Sequence, residues 1–207
     1  MSSQDRPQIY LITPPDLDPE TFAPRLAQVL DAHEIACLRL AMAGSDADRI
    51  GRAADTLREV SHQRDVAIVI DTHLKLVERH GLDGVHLRDG ARNVRAARKA
   101  LGADAIVGAF CGTSRHDGMN AGEAGADYIA FGPVGDTQLG TGEIAERDLF
   151  AWWSEMIELP VVAEGGLTRD LVESLAPVTD FFGIGEEIWS AEDPAKALGE
   201  MLAPLGG

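Results

Sequence analysis

Residues 125–134, GADYIAFGPV, and residues 159–167, LPVVAEGGL, share one plan: a short apolar strand that ends in glycine and runs into a loop. Gly125-Ala126-Asp127 ahead of the first strand reads as a helix exit, because glycine takes the left-handed cap and aspartate opens a turn. Gly165-Gly166 directly after the second strand lets backbone N–H groups approach a ligand with no side chain in the way. Two such units suggest strand-then-helix repeats. Their loops would share the face on which a parallel barrel keeps its active site.

Working outward, further strands are predicted at 8–13, 35–40, 66–71, 84–87, 105–110 and 180–185, with the two quoted strands at 128–132 and 160–164. The run at 66–71, VAIVID, is continuously apolar, as a parallel strand covered on both faces should be. Helices are predicted between the strands. Asp18 caps the first, with Pro19 at its first position and Phe22, Leu26, Val29 and Leu30 at helical spacing. Ser45 is read as the cap of the second, which runs to His62, and Gly81 stops a short third helix. A basic helix covers 92–101, a weak one ends at 124, and another lies near 148–157. Thr168 caps the next, Glu186 begins a short turn, and Asp193-Pro194 opens the last. Eight strands alternating with helices and no break in composition give one domain over residues 1–207, an α/β (β/α)8 TIM barrel. A doubly wound open sheet is the rival, but no dinucleotide glycine fingerprint follows the first strand.

Composition narrows the function classes. The formal net charge is −16, which works against nucleic-acid binding, since phosphate backbones want a basic stripe. No apolar run approaches the length of a membrane span and no early apolar leader is present, so a cytoplasmic protein is expected. Cys37 and Cys111 are the only thiols, which suits a reducing compartment. No short His or Cys spacing suggests a metal centre, and none is expected. Cys111, on the active face with His116 nearby, is a weak nucleophile candidate, because nothing in the sequence shows a depressed thiol pKa. One of Trp152 and Trp153 must face outward, against a neighbouring element or a partner, and a homo-oligomer is compatible with that.

Taken together, IYLIT, the LRL strand, DGVHL, GADYIAFGPV, PVVAEGG and the closing DFFGIGEEI resemble the thiamine phosphate synthase family, which includes thiazole tautomerase relatives. The resemblance spans almost the whole chain. It implies the same barrel and a site that joins a hydroxymethylpyrimidine diphosphate to a thiazole phosphate, with Mg2+ on the diphosphate. Position by position, the family's chemistry is largely replaced. The family's second strand ends Gln-Leu-Arg-Glu-Lys, where this chain has Cys37-Leu38-Arg39-Leu40-Ala41, so only the arginine survives. Its Asn-Asp-Arg is here Asp71-Thr72-His73. The second metal aspartate falls on Ala91, with Asp89 two residues away. The serine after the fifth strand is Phe110, and the tautomerase histidine position is Pro133. Thr137 matches a family threonine, but Gly140 stands where the family has lysine. In the phosphate cup, Gly165, Gly166 and Gly185 keep the backbone, while Glu164 and Glu186 flank it.

The expected ligand face therefore comprises Arg39, Asp71, His73, His86, Thr137, Glu164 and Glu186, with the Gly165, Gly166 and Gly185 backbone as the cup and no assigned catalytic residue. Alternation turns Arg39 inward, where a guanidinium needs a partner, and Asp71 or Glu164 is expected to supply it. His86 also points inward, as a buried neutral histidine. A carboxylate about 4 Å from a phosphate charge costs roughly 4 kcal/mol at an effective dielectric near 20. Helix-end attraction returns only ~0.3–2 kcal/mol. Two glutamates at the cup thus predict weak phosphate binding, with water or the Glu186 carboxylate in its place. Three functions follow as expectations. The first is a divergent member that binds or acts on a small thiamine-related or other heterocycle without the usual condensation. The second is a working synthase with a remodelled site, which alone would need Mg2+. The third is a non-enzymatic barrel whose mouth is filled by its own side chains.

Overall fold

A computed structural model describes residues 6–137 and 142–206. Eight parallel strands close into a barrel in chain order: β1 (Gln8–Ile12), β2 (Cys37–Leu40), β3 (Ala67–Asp71), β4 (Gly84–Leu87), β5 (Ile106–Phe110), β6 (Tyr128–Phe131), β7 (Val161–Glu164) and β8 (Phe181–Ile184). The helices around them are α1 (Pro19–Ala32), α2 (Ala47–His62), α3 (Leu74–His80), α4 (Val94–Leu101), α5 (Arg115–Ala124), α6 (Arg147–Met156), α7 (Arg169–Leu175), the single turn α8 (Glu186–Trp189) and α9 (Pro194–Leu202). The predicted order of strands and helices is present throughout, with ends shifted by a residue or two.

One cap was misplaced by the sequence reading. Asp46, not Ser45, caps α2, its carboxylate accepting from the N–H groups of Asp48 and Arg49 at 3.1 Å each. A side chain must stand one residue ahead of the helix to reach those donors, and Ser45 is one residue too early.

Three aspartates fasten the N-terminal rim. Asp83, Asp127 and Asp180 each precede an even-numbered strand, and each carboxylate accepts the N–H of Ile68, Val107 or Val161 on or beside the strand before it, at 2.7–2.8 Å. The backbone N–H of each aspartate donates to the carbonyl of that same residue. The aspartate of Gly-Ala-Asp thus does more than open a turn: it sets the register of neighbouring strands.

Alternation along the strands separates two cores. Outward residues such as Leu11, Leu38, Leu40, Ile68, Ile70, Val85, Ile129 and Phe182 bury against the helices. On β6, Phe131 packs edge-to-face on Phe150 and Trp153 of α6, with ring centroids 5.8 and 5.2 Å apart. Trp153 turns inward and donates its indole N–H to the Leu159 carbonyl at 2.8 Å. Trp152 stays half-buried, and its ring lies 4.7 Å from the Arg115 guanidinium of α5, so its cover comes from this chain. Inward residues Tyr10, Cys37, Val69, Tyr128, Ala130 and Val162 form a second, smaller cluster inside the barrel. Room for its large members comes from glycine. A Cβ at Gly108 would collide with the Tyr128 ring, and one at Gly183 would sit 2.8 Å from the Glu164 Cβ. Among the described residues no helix is long and apolar enough to cross a membrane.

Candidate functional site

The site begins with Arg39, which β2 turns into the barrel toward its C-terminal mouth. Its side chain is buried, and two of its nitrogens meet Glu164: Nη1 to Oε2 at 2.8 Å and Nη2 to Oε1 at 3.2 Å. Its Nε stands 3.3 Å from Asp71 Oδ1. The register explains the meeting. Asp71 and Glu164 occupy the last positions of β3 and β7, and Gly183, opposite Glu164, leaves space for the carboxylate to lean inward. Both expected partners therefore hold the guanidinium at once. Burial alone would lower the Arg39 pKa, but the Glu164 charge and then Tyr10 and Asp71 raise it well above the usual value, so it stays charged.

A chain of polar groups hangs beneath it. Arg39 Nη1 lies 2.8 Å from His86 Nε2, His86 Nδ1 lies 2.9 Å from the Tyr128 hydroxyl, and Tyr128 and Tyr10 share a hydrogen bond of 2.6 Å. A guanidinium can only donate, so His86 Nε2 accepts and Nδ1 carries the proton, donating to Tyr128. Burial, followed by the Arg39 charge, pushes the His86 pKa well below its ordinary value. Desolvation raises both tyrosines well above theirs. The sequence reading placed His86 inward and neutral, but it passed over Tyr10 and Tyr128. Both lie on the same alternation phase as Arg39 and were legible there.

This histidine gives a pH test. Its folded pKa is depressed, so below the unfolded value of ~6.5 the unfolded chain binds a proton that the fold refuses. Stability from this group is complete above pH ~6.5 and falls as the pH drops toward the depressed folded value, by up to ~1.4 kcal/mol per pH unit. Denaturant titrations at pH 7 and pH 5 should show the parent losing more stability than His86→Gln over that interval. Equal losses would mean that the imidazole is protonated in the fold.

Asp71 is the second buried acid at the mouth. Burial raises its pKa despite the opposing charges of Arg39 and Arg88, whose Nη1 lies 3.9 Å from Oδ2. Thr72, which follows it, has φ +56, a left-handed conformation that a β-branched residue adopts at a cost. His73 stands half-buried ahead of α3 and makes no side-chain capping bond. Beside the mouth, a cavity of about 450 Å3 opens between the loops that leave β4 and β5, lined by Arg88, Asp89, Arg92, Phe110, Cys111 and Asp117 among others. Burial pushes the Cys111 thiol up to about 12, which removes it as a thiolate nucleophile at neutral pH.

The cup is built as the Gly-Gly motif suggests, but its occupant differs from the expected one. Gly165 and Gly166 both take left-handed backbones, φ 86 and 72, and Thr137 lies over Gly165. Glu186 points to solvent. Glu187 turns back toward the cup instead: its Oε2 accepts the Gly185 N–H at 2.8 Å and its Oε1 the Leu167 N–H at 3.2 Å, beside Gly165 and Gly166. The reason is geometric. The first residue of a helical turn projects away from its own cap, whereas the next one can fold back on it, as a capping-box acid does. Burial raises the Glu187 pKa in spite of these N–H bonds. Glu164, the other expected flank of the cup, is turned to Arg39 and away from it. Gly140, read at the family's lysine position, lies outside the described residues.

Magnesium does not fit this donor set. Mg2+ takes hard oxygen ligands, commonly one or two carboxylates plus substrate phosphates. Asp71 is already set against two arginines. Asp89 is exposed and takes a bond from the Asn93 amide at 2.5 Å. Among the described residues no three His, Cys, Asp or Glu side chains converge as a metal site. The carboxylates of the mouth are arranged to hold arginine.

Known proteins resemble this chain over nearly its full length. The family model described as thiamine monophosphate synthase matches residues 9–180. A thiamine-phosphate synthase of Rhodospirillum centenum is 41% identical over 205 residues, 97% of this chain and 98% of that protein. One of Erythrobacter litoralis is 36% identical, covering 95% of each chain. Among solved structures, thiamine phosphate pyrophosphorylase from Pyrococcus furiosus superposes with a TM-score of 0.81 over 97% of both chains at 22% identity, which supports the barrel fold. The names of these relatives favour the working-synthase expectation over the divergent one. Fold, family model and full-length identity agree on kinship, and this chain belongs to the thiamine monophosphate synthase family.

Proposed function

We propose that the mouth of this barrel binds or acts on a small heterocycle, thiamine-related or of similar size, that carries no phosphate, and that it does not run the family's usual condensation. Arg39 carries this reading. It is the one cation retained from the family's second-strand motif, and Glu164 engages it through two contacts with Asp71 behind it. Counting Arg39 and Arg88 against Glu164 and Asp71, with His86 neutral, the cluster has no net positive charge left for an anionic substrate. The cavity between the β4 and β5 loops is in the size range of small-molecule sites, and Phe110 offers it an aromatic surface.

A second reading, a working thiamine phosphate synthase with a remodelled site, is favoured by a different observation. Proteins bearing that name match this chain at 36–41% identity over nearly its whole length. Kinship supports it more directly than it supports a lost activity. Calorimetry with thiamine and thiamine phosphate separates the two. The proposed reading expects thiamine to bind the more tightly, because the added phosphate meets a mouth with no net positive charge. Tighter binding of the phosphate ester would overturn it and favour the synthase.

A further inference from the structure

We infer that the outer face of α4, α5 and α6 is the interface of a two-fold dimer of this chain: the cationic α4 side of one copy meets the acidic α6 side of the other across a shared apolar centre. Exposure locates the centre. Among the described residues the large apolar side chains left exposed are Met119, Ile144 and Met156, and all three lie on α5, on α6 or just ahead of α6. Met156 is 62% exposed. Gly118 lets the two helices close up, since a Cβ there would lie 2.7 Å from the Trp153 ring, and Arg115 then lies over the ring of Trp152. Both helices return from the same rim of the barrel. Met119 stands one turn beyond Arg115 on α5, and Met156 one turn beyond Trp152 on α6, so the methionines share a level beneath the stacked pair. Methionine, tryptophan and arginine are residues that interface centres favour.

Charge identifies the occupant. Arg92, Arg95 and Lys99 are exposed on the α4 side of this patch, and Asp148, Glu155 and Glu158 are exposed on the α6 side. None of these six makes an ion pair among the described residues. Arg95 and Lys99 are like charges one turn apart, an arrangement that costs an isolated helix stability. Arg98, on the inner side of α4, fixes that helix beside α5 by donating to the Gly125 carbonyl at 2.9 Å. The order across the face is therefore cations, apolar centre, acids. A fitting partner presents the reverse order, and a second copy turned about an axis parallel to the helices does so. That two-fold sets α4 against α6 twice, with Arg95 near the level of Asp148 and Lys99 toward Glu155. The net charge of −16 opposes pairing of two copies, but charges beyond the screening length of ~8 Å at physiological salt contribute little, and the facing ones are opposite in sign. A nucleic acid would match α4 alone and be repelled by α6.

The inference does not depend on which ligand the mouth takes. Sedimentation velocity on the full chain, at micromolar concentration and physiological salt, tests it after melting curves establish that each variant is folded. The parent should sediment as a dimer. Met156→Glu, which alters an exposed side chain, should weaken the dimer about tenfold or more. Two charge reversals decide the geometry. Arg95→Glu with Lys99→Glu turns the α4 side acidic, and Asp148→Lys with Glu155→Lys turns the α6 side basic, so each variant alone should be monomeric. Mixed in equal amounts they should form a heterodimer, because each supplies the charge that the other lacks. A monomeric parent overturns the inference, and so does a dimer that every variant leaves intact. Reversed variants that stay monomeric on mixing overturn it as well. If a reversed variant fails to fold, Met156→Glu decides: a weakened dimer supports the interface and an unchanged one refutes it.

Discussion

Arg39→Met is expected to lower stability by about 3–5 kcal/mol, as removal of one partner from a buried ion pair does. The loss comes from what is left behind more than from the contact itself. Glu164 and Asp71 would remain as two carboxylates inside the barrel with no guanidinium between them, and His86 Nε2 would lose its donor. For a chain of this length the melting temperature should fall by roughly 6–20 °C. Methionine keeps most of the volume, so a cavity adds little. Coupling makes the test specific. Adding Glu164→Leu and Asp71→Asn to Arg39→Met removes the stranded charges, and most of the lost stability should return. An unchanged melting temperature for the single variant would mean that the guanidinium is not the counter-ion of these acids. A triple variant no better than the single one would mean that packing, not charge, carries the effect.

The fold was legible because its signals are local and repeated. Strand-Gly-loop units such as GADYIAFGPV and PVVAEGG specify both a strand and the direction of its exit, and eight such strands with helices between them leave few alternatives to a closed barrel. Arg39 was legible for a similar reason. Period-two alternation assigns its face, and the cost of an unpaired buried charge then demands Asp71 or Glu164. Alternation could not show that both acids would converge, because that depends on Gly183 opening space across the β7–β8 pairing.

The cup was only half legible. Gly165-Gly166 and Gly185 announced exposed N–H groups. Which carboxylate would meet them depended on side-chain direction within one helical turn, and adjacent glutamates differ there by about 100° around the axis. Glu186 was the residue at the family's serine position, and the geometry chose Glu187. The tyrosines were missed for another reason. Alternation turns Tyr10 and Tyr128 inward as it does Arg39, but that Tyr128 meets His86 and Tyr10 in turn meets Tyr128 depends on the register, with Gly108 facing Tyr128.

The most direct test of the whole account is a condensation assay. Purified protein is incubated with hydroxymethylpyrimidine diphosphate, thiazole phosphate and Mg2+, and thiamine phosphate formation is followed over time. The account predicts no product above the protein-free control, because Arg39 is neutralised by Glu164, the carboxylates at the mouth are set against arginines, and Glu187 takes the Gly185 and Leu167 N–H groups. Turnover near or above ~1 s⁻¹, within the usual range for enzymes, would contradict it and establish the second reading.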